Sequence, residues 1–101
     1  MRPAVYRFTF DRKTPLRDAE MSLHLAMIAI EGLLGQASVR MDASYHVDEP
    51  RNVIIVDGTT LIGAAMVRVF TAFLIREFGD HAFTVRRVEA ANSTAPAKEV
   101  A

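Results

Sequence analysis

Hydrophobic residues along this chain change period at each polar turn, and that succession of periods limits the fold more than any single motif. Val5-Tyr6-Arg7-Phe8-Thr9-Phe10 alternates, with Tyr6, Phe8 and Phe10 on one side, as in a half-buried strand. Asp11-Arg12-Lys13-Thr14 is a polar turn. Thr14 suits a helix N-cap and Pro15 a first helical residue. Leu16, Ala19, Leu23, Met27, Ile30 and Leu34 then recur at helical spacing, and Gly35 is a natural stop. From Ala37 to Val47 the alternation returns: Val39, Met41, Ala43, Tyr45 and Val47 against Ser38, Arg40, Asp42, Ser44 and His46. This predicts a second strand. After the turn Asp48-Glu49-Pro50-Arg51, Val53 to Val56 is a run of β-branched apolar residues, the pattern of a central strand. Asp57-Gly58-Thr59-Thr60 opens a second helix that runs to about Phe78 and closes at Gly79. Phe83-Thr84-Val85-Arg86-Arg87-Val88 is the last strand.

The order is β-α-β-β-α-β, which resembles the ferredoxin-like α+β sandwich. That resemblance implies a four-stranded antiparallel sheet in spatial order 4-1-3-2, with two helices on one face. It covers residues 1–89 as a single domain. The segment 90–101 (AANSTAPAKEVA) is small, polar and aperiodic, and reads as a disordered C-terminal tail. An architecture of this kind says little about function.

Composition excludes several classes. The chain has 101 residues, and 12 Lys+Arg balance 12 Asp+Glu, so a broad basic nucleic-acid surface is not expected. With no cysteine there is no disulfide, thiol nucleophile or Cys-based metal site. The apolar stretch Leu61 to Ile75 is too short to span a bilayer and contains Arg68. No cleavable leader is legible, so the cytoplasm is the default expectation.

Both helices carry more apolar surface than one sheet face can hide. Met21, Leu25 and Ile28 fall roughly opposite the expected core face of the first helix. Val67, Leu74, Ile75 and Phe78 form a second face on the other. These seven residues are the expected oligomer interface. A two-fold homodimer is the simplest way to cover them, and a different protein partner is the alternative.

Sites for chemistry are few. In this topology the end of the first strand and the hairpin between the second and third bring Asp11, Arg12 and Lys13 toward Asp48, Glu49 and Arg51, at places that resemble those where polymerase and cyclase palm domains hold metal carboxylates. Turn formation accounts for the same residues, and no metal is expected. Gly58, Thr59 and Thr60, between a buried strand and a helix, are a candidate anion site, with helix capping as the competing account. Arg7, Arg40 and Arg86 on the open sheet face offer a route to nucleic acid. A cross-strand pair of Arg40 with Asp42 explains that face better. His24, His46 and His81 lack metal-ligand spacing. Ser22, Ser38 and Ser44 lack the context of a nucleophile, and no general acid–base pair, catalytic residue or cofactor site is nominated. The run Asp11-Arg12-Lys13-Thr14-Pro15-Leu16 loosely resembles the effector-binding turn of ACT-type regulatory domains, with Pro15 where that family carries glycine. The expected function is a non-catalytic homo-oligomeric assembly module. The alternative is an ACT-like small-ligand domain or a small dimeric enzyme with a pocket between sheet and helices or between subunits.

The tail has no apolar periodicity and can bury little. Deleting residues 92–101 should therefore leave the melting temperature within a few degrees, as read by circular dichroism.

Overall fold

A computed structural model describes residues 4–89. The tail expected to be disordered lies outside the described residues. The elements are β1 (Ala4–Phe10), α1 (Leu16–Leu34), α2 (Gln36–Asp42), β2 (Tyr45–Asp48), β3 (Val53–Asp57), α3 (Leu61–Phe78) and β4 (Phe83–Glu89). The class is α+β, with one four-stranded sheet in order β2-β3-β1-β4 and every neighbouring pair antiparallel. Thus β1 and β3 are central, as their apolar content requires.

Alternation along β1 sets the two faces of the sheet. Phe8 and Phe10 are buried while Arg7 and Thr9 are exposed. Cross-strand register carries this outward: Phe8 lies opposite Ile54, and Ile54 opposite Val47. The helices cover this inner face. Ala19, Leu23, Ala26 and Ile30 of α1, and Ile62, Met66, Phe70 and Leu74 of α3, join Phe8, Phe10, Ile54, Val56 and Phe83 in one core cluster. On α1 the buried spacing is four, three, four, which is the drift of a 3.6-residue period. Leu16 and Met27, expected in that face, are half-buried, and Leu34 is exposed.

Three features depart from the sequence reading. The chain has three helices rather than two, because Gln36–Asp42 is helical where a strand was expected. Val39 and Ala43 are four residues apart, so a helical turn brings both toward the core, where Val39 is fully buried. Met41, expected to face inward from a strand, is 83% exposed. Arg40 and Asp42 leave the sheet and do not pair across strands. The second departure is Thr14. It is not an N-cap: α1 begins at Leu16 after Pro15, with no side-chain capping bond. Asp11 organises the turn instead. Its Oδ1 accepts from the amides of Lys13 and Thr14 and from the buried Thr14 hydroxyl. Gly35 and Gly79 do end α1 and α3, with φ of 98° and 87°. The third departure concerns Leu74, described below with the interface.

The start of α3 is tightly built. Thr60 is its N-cap, and its Oγ1 accepts from the Gly63 amide at 2.9 Å. Gly63 lies against the backbone of β3, where an added Cβ would fall on the Asp57 carbonyl oxygen. Gly63→Ala gains about 1 kcal/mol of helix propensity, but overpacking of this kind costs about 1–3 kcal/mol, and backbone cannot swing aside as a side chain can. We expect a net loss of stability, measured by urea unfolding. Gly32→Ala on α1, where the added carbon meets nothing within 4 Å beyond the helix's own nearby backbone, should be neutral or stabilising.

Candidate interaction site

Packing α1 and α3 side by side on the sheet leaves a cleft between them on the side away from the core. Ser22, Leu25, Ile28 and Ala29 of α1 face Phe73, Arg76 and Glu77 of α3 across a cavity of about 390 Å³. Helical geometry explains the arrangement. Leu23 and Ala26 point to the sheet, so Leu25 and Ile28, three residues apart, point away from it. Met21 is 57% exposed, Leu25 55% and Ile28 61%. Scattered apolar residues on a surface are ordinary, but these three share one helix face beside an apolar cleft.

The expected interface residues divide. Met21, Leu25, Ile28 and Ile75 are exposed. Val67 and Phe78 are half-buried against the core. Leu74 is fully buried, because it continues the four-residue series Ile62, Met66, Phe70 that faces the sheet. It cannot meet a partner, and Phe73 takes its place at the cleft.

The residues at the candidate anion site are largely committed within the chain. Asp57 Oδ1 accepts from the Thr59 amide and hydroxyl, the Gly58 amide donates to the Ala4 carbonyl, and Thr60 holds Gly63. The Thr60 hydroxyl also donates to the Asp42 carbonyl, which ties α2 to α3. At the opposite turn, Asn52 (φ 58°) donates from Nδ2 to the carbonyls of Phe10 and Asp11. That locks the β2–β3 turn onto the end of β1. Asp48 pairs there with Arg51 at 3.1 Å, and Asp11 is occupied by its own turn. Among the described residues, no group of three or more His, Asp or Glu is placed to hold a metal ion. No helix among them is long and apolar enough to cross a membrane.

One contact has no signal in the sequence. His24 Nε2 lies 2.9 Å from the Tyr45 hydroxyl, and the Glu20 carboxylate lies 3.8 Å from the same nitrogen. His24 and Tyr45 are 21 positions apart, and only the packing of α1 beside β2 joins them. Burial raises the Tyr45 pKa above its ordinary 10.0, and the Glu20 charge raises it further.

No family model, no curated protein and no solved structure matches this chain. The functional reading therefore rests on the geometry of its own residues.

The raised Tyr45 pKa has a consequence at alkaline pH. Below 10.0 the phenol is protonated in both folded and unfolded chains, and its contribution to stability is constant. As pH rises from 10.0 through the folded pKa, the unfolded chain loses its proton first, so this contribution is lost. Glu20→Gln removes one of the two causes and should bring the Tyr45 pKa down toward 10.0, as followed by ultraviolet difference titration.

Proposed function

We propose that this chain is a homo-oligomeric assembly module that pairs as a two-fold dimer through the α1–α3 face. The exposed row Met21, Leu25 and Ile28 beside the cleft is the observation that carries this reading. Each Leu or Ile fully buried contributes about 1.5–3 kcal/mol before the loss of translational and rotational freedom. A standard interface takes about 800 Å² from each partner, a small part of the 6337 Å² accessible surface of this chain. Charge supports a second copy as the occupant. Arg76 and Glu77 stand next to each other on the cleft wall, so a two-fold axis can set each against its opposite in the other copy.

Read from β4, the strand order is β4-β1-β3-β2, and two long helices share the core. This supports a ferredoxin-like sandwich into which the short α2 has been added after Gly35. The alternative function, a small-ligand or catalytic pocket between sheet and helices, has less support. That space holds the rings of Phe8, Phe10, Phe70 and Phe83. At the ACT-like turn, the Asp11 carboxylate is turned back onto its own segment.

Light scattering coupled to size exclusion tests the reading. Wild-type protein should elute at twice the chain mass. Leu25→Glu and Ile28→Glu, both at exposed positions, should remain folded and run at the monomer mass. Arg40→Ala on α2 should leave the dimer intact. Leu74→Glu should unfold the chain rather than dissociate it. A monodisperse wild-type monomer at high micromolar concentration would overturn the proposal.

A further inference from the structure

The sheet face turned away from the helices holds a feature unrelated to the cleft. The register places Arg7 of β1 directly opposite Arg86 of β4, and Thr9 directly opposite Thr84. Residues opposite one another in an antiparallel pair point to the same face, so two guanidinium groups and two hydroxyls share adjacent rows. All four are exposed, and with Val85 they line a cavity of about 420 Å³.

Like charges directly opposite one another destabilise a sheet. The row through the two arginines continues to Ile55 and His46, and the flanking positions on β1 and β4 are Val5, Val88, Thr9 and Thr84. No ion pair or hydrogen bond joins either guanidinium to any of the described residues. Of the acids of the same face, Asp48 lies on β2 and pairs with Arg51, and Asp57 lies on β3, diagonal to Arg7, with its Oδ1 accepting from Thr59.

The geometry points to a binding site for a phosphate monoester at the Arg7–Arg86 pair, with Thr9 and Thr84 as hydroxyl donors. A guanidinium offers planar, paired N–H donors that match phosphate oxygens two at a time. Two of them on opposing strand positions can close on one tetrahedral group, and its double negative charge removes the repulsion between them. The rows are too few and the rest of the face too neutral for a long polyanion. A carboxylate carries half the charge and fewer acceptor oxygens. The ligand class is therefore a small molecule bearing a terminal phosphate.

The test uses the full chain and two probes at constant ionic strength, inorganic phosphate and phenyl phosphate, followed by amide chemical shifts and by melting temperature. Saturable shifts centred on Arg7, Thr9, Thr84 and Arg86 are expected with both probes. Arg7→Gln and Arg86→Gln should each weaken binding by about tenfold or more. In phosphate-free buffer the same variants should melt at or above the wild-type temperature, because the like-charge contact is gone. Added phosphate should stabilise the wild type and not the variants. A merely structural arginine would give the reverse order in phosphate-free buffer. Several results would overturn the site: no saturation, equal affinity in the variants, shifts centred instead on Arg12 and Arg51, or acetate binding as tightly as phosphate. Tighter binding of a single-stranded oligonucleotide, with shifts spread over the whole face, would replace the small ligand by a polyanion.

Discussion

Phe8 is fully buried on a central strand, and its ring meets that of Phe70 on α3 at 4.7 Å between centroids and that of Phe83 on β4 at 6.3 Å. This junction of sheet and helix layer sets the spacing on which the rest of the packing depends. Aromatic rings of this size fill the space between layers, so only one stripe of each helix can share it. α1 meets that limit with Ala19 and Ala26 beside Leu23, whose small size lets the helix lie close. The larger residues Met21, Leu25 and Ile28 then have no place inside. Their exposure follows from a core already filled, and the α1–α3 cleft is the outer consequence of the inner contact.

The parts of the fold that could be read from the sequence are those where period and length agree. β1 and β3 have unambiguous patterns, and the four-residue series through Ile62, Met66 and Phe70 needs a helix. Segment 37–43 satisfies two templates. Ala37, Val39, Met41 and Ala43 alternate as a strand does, while Val39 and Ala43 are also one helical turn apart. Over seven residues neither template dominates, and the tertiary fit of Val39 into the core decides it. Thr14 is ambiguous for a related reason. Its hydroxyl is a good cap in isolation, but Asp11 three residues earlier competes for it and for its amide.

The candidate site was partly legible. An excess of apolar residues on both helices is visible without coordinates, and on α1 the outer residues Met21, Leu25 and Ile28 are exposed. For α3, which is apolar almost all round, the phase could not be set from the pattern, so Leu74 was assigned outward although it is buried. A helix with a narrow polar stripe gives a direction; one without it does not. The Arg7–Arg86 opposition needed the strand register, which no spacing in the sequence reveals. Both arginines were visible as outward residues, but a one-residue change of register would have separated them.

A two-layer α+β sandwich buries one side of each layer and leaves two broad outer faces, and here those faces have opposite character. The helix face is apolar, with one adjacent pair of opposite charges at its cleft. The sheet face carries two opposed cations, Arg7 and Arg86, over β1 and β4. In the proposed dimer, joining two copies through their helices would leave each sheet turned outward, so assembly would not cover the arginine pair. The core around Phe8 lies between the two surfaces. Occupancy of the sheet site should therefore leave the dimer constant unchanged, because a ligand shifts an assembly equilibrium only by its difference in affinity for the two states. Two phosphate sites per dimer, facing away from one another, would then act independently. A measured coupling between phosphate binding and dimer dissociation would show that the interface includes the sheet rather than the helix face alone.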